Sequence, residues 1–181
     1  MRVFIAITLP IGIKKKIEKA EASFKECGLD AIWVKAENIH LTFKFLGNVD
    51  EKNIPSMKKE IEETASQFNS LTLNLENFGF FPSEKRPRVF FVSTDKEEIL
   101  KKISQELENR LGKIGFEKED RFKSHITLAR LKSPKNIDCL IKKIKNTKIE
   151  ANFPVQEITL YKSTLTSSGP IYNKILTAGL R

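Results

Sequence analysis

The chain has 181 residues, 40% hydrophobic and 30% charged, enough to bury a core and stay in solution. Its 32 basic residues against 23 acidic ones leave a net charge of +9, which favours anionic partners such as nucleic acid or nucleotides and says nothing about fold. The opening apolar run is cut by Pro10 and by Lys14, Lys15 and Lys16, well short of a membrane span. It also lacks a signal-peptide cleavage pattern, so a cytoplasmic protein without membrane contact is expected. Cys27 and Cys139 stand in neither metal nor redox spacing and read as reduced thiols.

In chain order, "RVFIAIT" (2–8) predicts a covered strand. Pro10 then starts a helix whose apolar stripe, Ile13, Ile17, Ala20 and Phe24, runs to Gly28. "AIWV" and "HLTFKFLG" follow as strands closed by Gly47 and Asn48. A second helix carries Ile54, Met57, Ile61 and Phe68 on one face, and "LTLNLENFGFF" alternates as a half-covered strand should. After "PSEKRP" the order begins again. "RVFFVST" (88–94) repeats the first strand at an offset of 86, and Thr94 with Glu97 has capping-box spacing. The next helix has the stripe Ile99, Leu100, Ile103, Leu107 and Leu111 and closes near Gly112. "HITLARL" repeats "HLTFKFL" at an offset of 85, and "KNI" recurs at the head of another helix. "VQEITLYKS" and "YNKILTAGL" supply late strands. Ordered matches at nearly constant offset indicate a duplicated β-α-β-α-β unit. The expectation is one α+β domain with two pseudo-twofold lobes, approximately 1–85 and 86–181, each an antiparallel sheet backed by two helices, with a cleft between them.

Both histidines of the chain, His40 and His125, head the repeated tetrapeptide, each followed two residues later by Thr42 or Thr127. Strand residues two apart share a face, so His and Thr point together while Leu41 and Phe43, or Ile126 and Leu128, point into a core. A lone His-x-Thr in a strand is commonly a structural histidine. With 11 threonines in the chain, chance puts one two places after both histidines only roughly once in 270 sequences of this composition. Two imidazoles facing across a cleft suit in-line displacement at phosphorus, with a base on one side and an acid on the other. An ordinary pKa of about 6.5 keeps both protonation forms of each accessible. The threonine hydroxyls can donate to non-bridging oxygens. Two histidines without a cysteine cluster do not make a zinc site, and no phosphate-binding glycine loop, dinucleotide fingerprint or nucleophile elbow occurs.

The paired motifs, extended to His-x-Thr-x-x-Phe at His40, Thr42 and Phe45 and to His-x-Thr-x-x-Arg at His125, Thr127 and Arg130, resemble the two-histidine phosphoesterase superfamily. The likeness is closest to the RNA 2′,3′-cyclic phosphodiesterases of the 2′-5′ RNA ligase family, and it covers almost the whole chain. The resemblance implies a LigT-like fold and a monomeric hydrolase, with no metal or other cofactor, that opens RNA or nucleotide 2′,3′-cyclic phosphates to 2′-phosphomonoesters. It implies His40 as general acid, His125 as general base, Arg130 as phosphate clamp and Phe45 as a stacking platform for the terminal base. The offset of five is odd, so in regular strands Phe45 and Arg130 would turn away from the cleft and Lys44 and Ala129 would face it. A bulge, a strand end or bent side chains must restore the alignment, and Lys44 is a candidate for a second phosphate contact. Arg86, Arg88, Arg121 and Lys123 are candidates to lead RNA to the site. Reversible 2′-5′ joining of RNA ends and a non-catalytic RNA- or nucleotide-binding module are the competing readings.

Overall fold

The computed structural model describes residues 1–119 and 121–181. In chain order its elements are β1 (Arg2–Thr8), α1 (Ile11–Lys25), β2 (Ala31–Trp33), β3 (His40–Asn48), α2 (Ile54–Ala65), β4 (Leu71–Phe81) and β5 (Val89–Thr94), then α3 (Glu97–Lys113), β6 (Ile126–Leu131), α4 (Ile137–Lys145), β7 (Asn152–Val155), β8 (Glu157–Thr166) and β9 (Gly169–Gly179). The strands form an antiparallel sheet in the order β7-β4-β5-β6-β3-β1-β8-β9, with β2 also paired to β6. Each half of the chain thus contributes strands to both ends. β4 pairs with β5, and β8, from the C-terminal half, pairs with β1.

β1 is apolar without alternation because both its faces are covered. Val3, Ile5 and Ile7 enter the main core, whereas Phe4 and Ala6 join Tyr161 and Tyr172 in a second cluster. α1 lies over the β4–β5 end, where Phe24 meets Phe78 and Phe90 edge-on. α2 and α3 pack together, and Arg110 of α3 pairs with Glu60 and Glu63 of α2 and with Glu106. No helix among the described residues is long and apolar enough to cross a membrane.

Three expectations are corrected. Cys27 and Cys139 are not free thiols but form a disulfide, with Cα atoms 5.8 Å apart, across 112 positions of sequence. The spacing gave no hint because the pairing depends on α4 docking beside the end of α1, where Lys143 also binds Glu26. Thr94 does not cap α3. Its hydroxyl bonds Ser124 at 2.5 Å, and α3 instead starts after Lys96, in the left-handed region at φ 56°. The "RVF" match at offset 86 is one residue out of structural register. Phe4 lies opposite Phe45 of the first motif, and Val89 lies opposite Arg130 of the second, so the structural offset is 85 throughout.

Candidate active site

The histidine motifs occupy adjacent strands at the centre of the sheet. β3 and β6 meet at a single antiparallel pair, Leu41 with Ile126. That register sets His40 opposite Thr127 and Thr42 opposite His125. The histidines are diagonal neighbours, a relation that puts residues roughly 7–8 Å apart, with Cβ atoms somewhat closer. A pseudo-twofold axis through the Leu41–Ile126 pair exchanges the two motifs. Below the pair, both apolar side chains are fully buried.

The odd offset is resolved by a bulge in each motif. Along β1, Ala6 pairs with Thr42 but Ile5 pairs with Lys44, leaving Phe43 as the extra residue of β3. Along β5, Phe91 pairs with Thr127 but Phe90 pairs with Ala129, leaving Leu128 extra in β6. Two consecutive residues, Phe43 with Lys44 and Leu128 with Ala129, therefore turn inward, and all four are buried. Phe45 and Arg130 come back to the histidine face, where both are exposed and line the cleft. The same step that presents them removes Lys44. Its side chain is 4% exposed, bonded to Glu108 of α3 at 2.6 Å and to the Glu117 carbonyl at 2.7 Å. Lys44 is a core ion pair rather than a phosphate ligand.

Each imidazole is held in the same way. His40 Nδ1 lies 2.6 Å from the Asn38 carbonyl and His125 Nδ1 lies 2.8 Å from the Lys123 carbonyl. A carbonyl only accepts, so Nδ1 carries the proton in the neutral ring and Nε2 is left as the working nitrogen. Aromatic rings fix the planes: Phe4 at 4.8 Å and Tyr172 at 5.4 Å from His40, Phe81 at 4.9 Å from His125. Burial pulls the His40 pKa down to about 4, opposed by the Asn38 bond and reinforced by the positive charge of Lys14. Burial lowers His125 as well, with Arg130 and Lys123 adding to the effect. Both shifts favour the neutral ring.

The cleft has a volume of about 400 Å³ and brings together His40, Thr42, Phe45, His125, Thr127 and Arg130. Sequence reasoning did not single out Tyr172 or Asn38. Tyr172 arrives from β9 as the His40 neighbour. Asn38 is buried, and its amide donates to the Pro170 carbonyl, tying the β8–β9 hairpin to the segment before His40. Tyr172 lies at no spacing that relates it to a histidine, and Asn38, two residues before His40, has Lys123 and not an asparagine at the equivalent place before His125. Of the candidate RNA-guiding residues, Arg86, Arg88, Arg121 and Lys123 are exposed but outside the cleft lining. Lys123 nevertheless supplies the carbonyl for His125 and sets its ammonium 5.6 Å from the Phe81 ring. Among the described residues no group of three or more His, Cys, Asp or Glu side chains is arranged to hold a metal.

Known proteins resemble this chain in sequence and in fold. A Thermotoga maritima RNA 2′,3′-cyclic phosphodiesterase is 37% identical over 95% of this chain and 91% of its own length. The enzyme of that name from Methanocaldococcus jannaschii is 35% identical over 97% of this chain and 98% of its own. A Thermus thermophilus crystal structure superposes with a TM-score of 0.84 at 25% identity, covering 100% of this chain and 98% of that one. E. coli LigT in its apo form shares the fold, with a TM-score of 0.78 at 24% identity over 99% of this chain and 96% of that one. Residues 11–166 match the 2′-5′ RNA ligase superfamily, and the chain belongs to that family.

Proposed function

We propose that the protein hydrolyses RNA 2′,3′-cyclic phosphate ends to 2′-phosphomonoesters, with His40 as general acid and His125 as general base. The observation that carries this reading is the pair of Nε2 atoms, each freed by an Nδ1–carbonyl bond, on diagonal positions of neighbouring strands that line one cleft. The names of the Thermotoga and Methanocaldococcus relatives support the substrate class.

His125 Nε2 takes a proton from water as its oxygen bonds to phosphorus. The P–O3′ bond breaks on the far side, and protonated His40 delivers its Nε2 proton to O3′. The phosphoryl group stays on O2′. Thr42 and Thr127 hydroxyls donate to the non-bridging oxygens, and Arg130 meets them with a planar fork. Phe45, 55% exposed on the cleft rim, offers a face that stacks any base. His40 must be charged to act, and its low pKa in the free protein assigns the phosphodiester anion a second role: restoring the proton that burial removes.

The test uses an oligonucleotide with a 2′,3′-cyclic end and its 3′-S-phosphorothiolate analogue, assayed in EDTA. His40→Ala and His125→Ala should each lower turnover of the natural substrate by about 10²- to 10⁴-fold. The thiolate leaves without protonation, so the analogue should rescue His40→Ala and not His125→Ala. Rescue of the other variant would exchange the roles, and abolition by EDTA would refute a mechanism run by side chains alone. The same site admits reversible 2′-5′ joining, which the family description favours. A longer product formed when a 5′-hydroxyl strand is supplied would establish it.

A further inference from the structure

We propose that the outer half of the cleft is a second-nucleotide subsite, in which Arg2 holds the phosphodiester 5′ to the terminal nucleotide and Ile32 and Leu165 receive the preceding base. The inference rests on the cyclic-phosphate reading and extends it from a reactive end to a strand.

The charge pattern comes first. Arg2, Lys35 and Arg130 line the cleft, and no aspartate or glutamate lines it among the described residues. Among those residues none of the three cations has a carboxylate within ion-pair distance. A wall of one sign focuses its field on an anionic ligand. Arg130 goes to the reacting phosphate in the proposed mechanism, and its charge acts on both His40 and His125. Arg2 cannot share that phosphate. Thr42, which the reacting phosphate meets, pairs with Ala6 of β1, and Arg2 lies four residues farther along that strand, which is roughly 13 Å. An arginine side chain leaning back covers only part of that distance, so the anion it meets is a different one. Arg2 and Arg130 both lie within electrostatic reach of Tyr172 in the same cleft.

The apolar pattern is independent of the charges. Five large hydrophobic residues are exposed among the described residues, and three of them, Ile32 at 58%, Phe45 at 55% and Leu165 at 66%, line this one cleft. Exposed apolar groups gathered at a single rim mark a binding surface. Phe45 serves the terminal base. Ile32 projects from β2, opposite Arg130, and Leu165 lies near the tip of the β8–β9 hairpin. Their exposure and the unpaired cations together fit a single strand, which alternates anionic linkages with flat apolar bases.

The experiment compares a pentanucleotide ending in a 2′,3′-cyclic phosphate with a cyclic mononucleotide of the same terminal base. Arg2→Gln should lower kcat/KM for the pentanucleotide by ~10- to 100-fold, through KM, as expected for loss of one charge-assisted contact. The mononucleotide rate should stay within about twofold. The salt slope of log kcat/KM for the pentanucleotide should shrink by ~0.7, the share of one single-strand phosphate. Ile32→Ser with Leu165→Ser should weaken the pentanucleotide by about tenfold and leave the salt slope alone. Equal losses on both substrates, or none on either, would overturn the subsite. Anisotropy of a labelled pentanucleotide ending in a 2′-phosphomonoester gives the same comparison without turnover. Selective binding with neither substrate hydrolysed would keep the subsite and overturn the proposed activity instead.

Discussion

His40 shows how much a single side chain's surroundings decide. Burial holds its pKa near 4 against an ordinary 6.5. Between those values the unfolded chain binds a proton that the folded chain refuses, so folding stability is complete above about 6.5 and falls as pH drops towards 4. Discounted for partial exposure, the loss from this one ring is about 1–3 kcal/mol. Urea midpoints measured from pH 7 to 4 should fall in the wild type and fall less steeply in His40→Gln. The slope should not vanish, because His125 is shifted the same way. Binding of a phosphate-bearing product should reverse the shift. Calorimetry of a 2′-mononucleotide at pH 6 in two buffers of different ionisation enthalpy should therefore show proton uptake, reduced in His40→Gln.

At the scale of elements, the paired bulges are what the sequence concealed. Period-two alternation correctly assigned His40, Thr42, His125 and Thr127 to one face, and it correctly raised the difficulty with Phe45 and Arg130. It could not say which remedy the chain uses. A bulge leaves no signature except two neighbouring inward residues, and at Phe43–Lys44 one of those carries a charge. Regular alternation puts Lys44, four residues after His40, on the cleft face, and its charge gives that reading no resistance. Only α3, with Glu108 poised above it, makes the inward position tolerable. The energetic consequence is testable. Lys44→Ala strands a buried carboxylate and should cost about 3–5 kcal/mol of folding free energy, whereas Lys44→Met combined with Glu108→Leu should recover most of it. Urea unfolding of the three proteins decides; equal stability of Lys44→Ala and the wild type would mean that the pair is solvated. The offset-86 match of β1 with β5 failed for a related reason. A strand buried on both faces is apolar throughout, so its register cannot be read from its own residues.

For the whole molecule, the duplication seen in the sequence predicts symmetry at the site better than it predicts connections elsewhere. The central strands β3 and β6 carry equivalent bulges and equivalent carbonyl bonds, while β4 and β8 pair with the other half's first strand. No local pattern announces which sheet edge a strand will join. Nor does one announce the disulfide, which depends on α1 and α4 coming together. That bond closes a loop of 112 residues, for which chain entropy suggests a stabilisation of about 2–5 kcal/mol. Cys27→Ser with Cys139→Ser should lower Tm while leaving kcat unchanged, since the bond lies outside the cleft lining. A fall in kcat at a temperature where the variant remains folded would show that the α1–α4 tie also sets the spacing of β3 and β6.

Two imidazoles acting on opposite sides of one phosphorus atom dictate both the bond that breaks and the origin of the new oxygen. Single-turnover reaction of a cyclic-ended oligonucleotide in ¹⁸O-labelled water, in EDTA, followed by ³¹P NMR, reads both at once. The expected product is a 2′-phosphomonoester carrying one labelled oxygen. A 3′-phosphomonoester, or a product whose label is absent from phosphorus, would contradict it.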